Sequence, residues 1–109
     1  MSEAGRPYRF ACVQVNAGCD MAANIASATM LIKSARSEGA DFIGVPENVS
    51  MMVCGSKQIR NNSRSESDHP ALGAFQDLAA KTGAWLLIGS LTIQTSEEDG
   101  RVANRSFVL

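Results

Sequence analysis

Apolar residues along the chain fall into blocks of two different periods, separated by clusters of turn formers. Residues 9–15 (RFACVQV) are a short apolar run rich in strand formers, and the Asn16, Gly18 and Asp20 that follow are turn and cap residues. From Met21, the positions Met21, Ile25, Ala28, Ile32 and Ala35 recur at alternating steps of four and three and line one face of a helix. Asn24, Ser27, Ser34 and Glu38 are assigned to its other faces. Asp20 is the expected N-cap and Gly39 the expected stop. Residues 42–45 (FIGV) form a continuous apolar run, as expected of a central strand covered on both faces, and Pro46 cannot extend its ladder. Strand, amphipathic helix and buried strand predict a βαβ unit with a parallel pair.

The stretch 55–68 (GSKQIRNNSRSESD) is polar and carries neither period, so it reads as a long surface loop, a feature that often borders a functional site. Pro70 opens a second helix with Leu72, Phe75, Leu78, Ala79 and Thr82 near one face and Gly83 at its end. Residues 85–93 (WLLIGSLTI) give a third strand. Residues 95–101 (TSEEDGR), with Asp99-Gly100 inside, read as a turn, and 102–109 return as an antiparallel fourth strand. The order β-α-β-loop-α-β-β is an α/β layer whose last strand is an open edge, so the layer reads as an unfinished part of a larger fold. Residues 1–8 are expected to be a tail and 9–109 the N-terminal portion of one domain.

Composition narrows the class. The chain has 109 residues, 45% of them hydrophobic, with 10 basic and 11 acidic side chains, which suits a soluble globular domain and offers no basic stripe for nucleic acid or an anionic membrane. No apolar stretch precedes Phe10 and none approaches a bilayer span, so a cytoplasmic location is expected. Cys12, Cys19 and Cys54 are odd in number without CxxC spacing, and His69 is the only histidine; reduced thiols and no metal or other cofactor are expected.

Side chains that act on ligands in open α/β sheets stand beyond the carboxyl ends of the parallel strands. Glu47 stands there, directly after FIGVP. Partial burial at that point would tend to raise its carboxyl toward the range useful for proton transfer, whereas a plain turn residue or surface ion pair is the bland alternative. Met51 and Met52 either line a pocket beside Glu47 or are packed. Cys12 is expected in the core and Cys19 in a loop. Cys54 lacks a defined base and is set aside as a nucleophile, as are Lys57 in the polar stretch and Lys81 on the second helix. His69, beside Pro70, reads as a helix-start residue.

The order AxxQ at 11–14, Asp20 and Asn24 at the helix start, Ala35 followed by Gly39-Ala40-Asp41, and then FIGVPEN resembles the opening of nitrilase-superfamily carbon–nitrogen hydrolases. Gly83, Trp85, the IGS at 88–90 and Asn104 continue in the order that family shows, so the resemblance runs from Arg9 to the last residue. It implies an α-β-β-α sandwich, of which this chain is the N-terminal part, and a Glu-Lys-Cys set acting on a small amide or nitrile-like substrate. In such chemistry a cysteine thiolate attacks the carbon, a lysine stabilises the tetrahedral intermediate and a glutamate moves the protons. Glu47 matches the family glutamate; the family lysine and cysteine fall in segments beyond Leu109, so this chain alone is expected to be inactive. PEN with VSMM, together with LGAFQDLAAKTGAWLLIGSL, looks most like the branch containing deaminated-glutathione amidase and ω-amidase. The resemblance also implies a homo-oligomer. Two other classes remain: a non-catalytic interaction module derived from the hydrolase fold, and a flavodoxin-like nucleotide-binding module, which would need a glycine-rich loop where VNAGCDMAAN offers only Gly18.

Overall fold

The computed structural model describes residues 5–52, 55–96 and 101–109. Four strands form one sheet in the order β1 (Phe10–Cys12), β2 (Phe42–Val45), β3 (Trp85–Gln94) and β4 (Val102–Val108), with the first three parallel and β4 antiparallel. Helices α1 (Met21–Ser37) and α3 (Pro70–Thr82) are the crossovers, and a short helix α2 (Ser56–Asn62) and a 3₁₀ turn (Glu66–Asp68) precede α3.

Strand order equal to chain order has a direct consequence. Right-handed crossovers that always step in the same direction lay their helices on one face of the sheet. Ala28 and Ile32 of α1 and Leu72, Phe75 and Leu78 of α3 accordingly join Ile43, Val45, Leu86, Ile88, Leu91 and Ile93 in a single core. The opposite face carries the in-register row Phe10, Phe42 and Trp85, with the two phenyl rings stacked at 4.9 Å. Leu87 and its partner Val108 lie on this face as well. Phe10, Trp85 and Val108 are each more than half exposed, so FIGV is covered on one face rather than on the expected two. The phase of β1 also corrects the reading of Cys12. Ala11 and Val13 turn to the core, and Cys12 between them is exposed.

The ladder between β1 and β2 stops for a chemical reason. Val13 N–H donates to Gly44 O at 2.8 Å, and in a parallel ladder the Val13 carbonyl would next accept from residue 46. Pro46 has no N–H to give. The chain therefore leaves the sheet at Pro46.

Asp20 caps α1, its carboxylate accepting from Ala23 N at 3.2 Å, and Gly83, in the left-handed region at φ 73°, ends α3. At the opposite end of the layer, Arg36 donates from Nε to Thr82 O and from Nη1 to Ala40 O, tying the last carbonyls of α3 to the start of β2. Asp41 accepts from Arg9 N at 2.9 Å and from Arg6 Nη2 at 3.1 Å. The Arg9 backbone hydrogen bond first, then the Arg6 guanidinium, hold its carboxyl below the ordinary 3.8. Stability from this contact is present above that value and is lost as pH falls below it.

The polar stretch 55–68 is not one long loop. It holds α2 and the 3₁₀ turn, and Arg64 forms a parallel bridge to Ile93, with Gln94 N donating to Arg64 O at 2.7 Å. The turn expected at 95–101 falls largely outside the described residues.

In β3 the pairing with β4 shifts. Ile88 faces Phe107 and Leu91 faces Arg105, so Gly89 and Ser90 together oppose Ser106 as a β-bulge. The extra residue resets the alternation, and Ser90 and Leu91 are both buried on the helix side. At Gly89 the strand-end backbone fills the place of a side chain. A Cβ there would lie 2.5 Å from Pro46 C, 2.6 Å from Val45 O and 2.7 Å from Glu47 N.

Two expected outcomes follow from this packing. Gly89→Ala must push apart two backbones, and overpacking of this kind costs on the order of 1–3 kcal/mol. Gly73→Ala, on α3 with open space around it, should be neutral or gain about 0.5–1 kcal/mol. Urea unfolding of the two variants measures the contrast, and equal midpoints would remove the close approach as a constraint. The second outcome concerns His69, which is buried and caps α3, its Nδ1 accepting from Ala71 N at 3.2 Å. Burial pushes its pKa below the ordinary 6.5, a hydrogen bond to the Thr92 backbone opposes that, and the Arg64 charge adds to the lowering. The folded state thus prefers the neutral ring, so stability is full above 6.5 and declines as pH falls from there toward the lower folded value. His69→Asn keeps a cap acceptor without a titrating ring, and should flatten the dependence of Tm on pH between about 5 and 7. A slope equal to that of the parent chain would assign the acid sensitivity to another group.

Candidate functional site

The site begins where Pro46 turns the chain out of the sheet. Glu47 follows at the carboxyl end of β2, as the sequence pattern anticipates, but it is exposed rather than partly buried. Its carboxylate Oε1 accepts a hydrogen bond from Asn104 Nδ2 at 3.0 Å, across 57 positions of sequence. Asn104 pairs with Thr92 in the β3–β4 ladder, in the set of β4 residues that shares a face with Val108. The Glu47 carboxylate therefore lies toward the open face of the sheet, away from α1 and α3.

Three contacts fix the backbone beneath it. Gly89 lets the 45–47 backbone settle against β3. Asn48, with φ 52°, adopts the left-handed conformation that asparagine tolerates better than most residues, and its N–H donates to the buried Ser90 Oγ at 2.9 Å. Ser106 Oγ donates to Gly89 O at 2.6 Å, which ties β4 to the bulge two residues from Asn104. The bulge thus addresses both ends of Glu47, the backbone through Gly89 and Ser90 and the carboxylate through β4.

Asn24 holds the same loop from the other side. The sequence pattern put it on a polar face of α1, yet it is 8% exposed. Its Nδ2 donates to Gly18 O at 2.8 Å and Ser50 O at 2.9 Å, and its Oδ1 accepts from Gly18 N at 3.0 Å. Met52 N also donates to Gly18 O, at 2.9 Å. One side chain near the start of α1 therefore joins the loop after β1 to the loop after Glu47. A buried amide with all these bonds made is a strong local constraint, since leaving its partners unpaired costs about 1–3 kcal/mol each.

Met51 and Met52 line a small cavity of about 50 Å³ together with Met21, Asn48, His69 and Thr92. Glu47 does not border it, so this cavity lies behind the loop rather than in front of the carboxylate. Cys19 is exposed in a loop, as expected, and Cys54 lies outside the described residues. Lys57 sits on α2 and Lys81 on α3, where Lys81 pairs with Asp77 at 3.1 Å, whereas the Glu47 carboxylate is bonded to Asn104. Among the described residues no cluster of three or more His, Cys, Asp or Glu side chains is placed to hold a metal, and no helix is long and apolar enough to cross a membrane.

Sequence reasoning places Glu47 just beyond the end of β2, where it lies, and misses the contacts that hold it there. Gly89 in a strand is a legible bulge signal, and IGS and Asn104 stood out in the sequence, but their pairing with Glu47 depends on register. Nothing in the periodicity of α1 distinguishes Asn24 from its polar neighbours.

Comparison with known proteins agrees with this architecture. An N-terminal amidase with an Asn-Glu peptide superposes at TM-score 0.72 and 13% identity, over 90% of this chain and 24% of that one. The Caenorhabditis elegans NitFhit protein gives 0.69 and 19%, over 89% and 27%. Saccharomyces cerevisiae Nit3, a member of branch 10 of the nitrilase superfamily, gives 0.69 and 19%, over 85% and 35%. At these identities the likeness shows the fold, and the chain spans roughly a quarter to a third of each neighbour's length. No curated protein matches the sequence. The model of the carbon–nitrogen hydrolase family matches residues 9–109, almost the whole chain, and the protein belongs to that family.

Proposed function

We propose that this chain supplies Glu47 as the general acid/base of an amidase-type hydrolase that cleaves a non-peptide carbon–nitrogen bond of a small amide. The observation that carries the reading is the placement of Glu47: it follows the central parallel strand, its backbone is held by Gly89 and Ser90, and its carboxylate by Asn104. In a Glu-Lys-Cys mechanism, Glu47 takes the thiol proton as the sulfur attacks the carbonyl carbon, then gives a proton to the departing ammonia or amine. It next takes a proton from the water that hydrolyses the thioester. The lysine and the cysteine come from polypeptide other than residues 1–109. Because the carboxylate lies toward the open sheet face, they approach from that side.

The branch containing deaminated-glutathione amidase and ω-amidase remains our reading of substrate class, on PEN, VSMM and the 72–91 stretch. A cytoplasmic, homo-oligomeric enzyme without cofactor completes the proposal.

In an enzyme that joins this chain to the missing lysine and cysteine, Glu47→Gln keeps size and hydrogen-bonding shape but cannot cycle a proton. Its kcat for ammonia release should fall on the order of 10²- to 10⁴-fold. Folding stability should stay within about 0.5 kcal/mol, since Glu47 is exposed. The 109-residue chain by itself should release no ammonia. Turnover that survives Glu47→Gln would assign the chemistry to another residue.

A further inference from the structure

An exposed glutamate has three side-chain torsions free, and a general base that wanders by an ångström can lose about two orders of magnitude in rate. Glu47 is exposed, so burial does not hold it. Its described side-chain partner is Asn104 Nδ2 at 3.0 Å on Oε1. Asn104 stands in regular antiparallel pairing opposite Thr92, and Ser106, two residues on, is fastened to the bulge at Gly89 O. The donor is therefore fixed to the same strand pair that fixes the Glu47 backbone.

We propose that Asn104 is a positioning residue for Glu47, its amide holding Oε1 so that Oε2 is the oxygen that takes up and gives back the proton. This rests on the reading of Glu47 as the acid/base residue. The chemistry of the amide suits the task. A carboxamide N–H donates and does not titrate near neutral pH, so it serves Glu47 in both of its states. When the carboxylate is ionised, Oε1 accepts from Nδ2 and Oε2 is open. When a proton adds, it goes to Oε2, and Oε1 remains the carbonyl oxygen that still accepts from Nδ2. The contact survives the whole cycle without rearrangement. A lysine or arginine in the same place would favour the ionised state alone and resist proton uptake.

The test needs no turnover. In the labelled 109-residue chain, the Asn104 side-chain amide proton and nitrogen shifts should follow the titration of the Glu47 carboxyl carbon with one shared midpoint. In Glu47→Gln that step should vanish from the amide. Asn104→Asp sets a second carboxyl against Oε1, and two carboxyls that share a proton move the Glu47 midpoint to higher pH. Asn62→Asp, on α2 with its amide bonded to Gln58 O, should leave it unmoved. In the complete enzyme, Asn104→Ala should lower kcat about 10- to 10²-fold with KM held, because orientation and not binding is lost. An Asn104 amide indifferent to pH through the Glu47 titration would overturn the proposal, and does so in the parent chain even where a variant fails to fold. Amide coupling with full turnover in Glu47→Gln would instead overturn the catalytic reading and leave the contact standing. A large rate loss in Glu47→Gln beside an uncoupled amide would retain Glu47 and remove Asn104.

Discussion

The backbone of residues 45–47 lies against Gly89 at distances no side chain could share, and much of the molecule is arranged around that approach. It requires a strand that ends abruptly, which Pro46 provides by withholding an N–H from the ladder. It requires a neighbour without a Cβ, which Gly89 provides. It also requires β3 to continue past the point where β2 leaves, and β3 does so because Arg64 bridges Ile93 on one side and β4 pairs on the other. The bulge at Gly89 and Ser90 is the local price of this arrangement, and the alternation of β3 is reset there so that Ile88 and Leu91 both reach the core.

The same strand pair separates two functions of the layer. Its helix face is closed by α1 and α3 into one apolar core, and a defect there would be felt as stability. Its other face carries the stacked Phe10 and Phe42, the exposed Trp85 and, at the strand ends, the Glu47 carboxylate with Asn104. Arg36 and Asp41 tie the elements together at the opposite end of the strands, remote from the loop that carries Glu47. The Arg36 and Asp41 contacts and the candidate chemistry thus occupy opposite ends of the parallel strands, the chemistry at the carboxyl ends as expected of open α/β sheets.

What was legible in the sequence is what repeats locally. The four-and-three spacing from Met21 gives α1, Pro70 and Gly83 bracket α3, and FIGVP locates both β2 and Glu47. What was not legible depends on partners far along the chain. Helix α2 is seven residues of mostly polar sequence, too short to display a period, and it is placed by its surroundings rather than by propensity. Cys12 reads as core because a continuous apolar run hides its phase; pairing with Gly44 shows that it faces outward. Asn24 is an ordinary polar position until Ser50, 26 residues away, brings its carbonyl to it. A strand end predicts partial burial for Glu47, yet the helices lie on the other face and the residue is exposed.

That last difference changes how the glutamate must be controlled. A buried carboxyl can be tuned by desolvation and held by packing, but an exposed one can be held only by directed bonds. Here the bonds come from two sources that are far apart in sequence and adjacent in space. Ser90 accepts from the Asn48 N–H and orients the backbone, while Asn104 donates to the carboxylate and orients the side chain. Both sources ride on β3 or on the strand paired to it, so a shift of register by one residue would turn Asn104 to the helix face and leave the carboxylate without its donor. Register in this sheet is fixed by Ser106 on Gly89 O and by the core residues Phe107 and Ala103 beside Ile88 and Ile93. The positioning of one exposed carboxylate is therefore secured by the same hydrophobic phase that secures the fold.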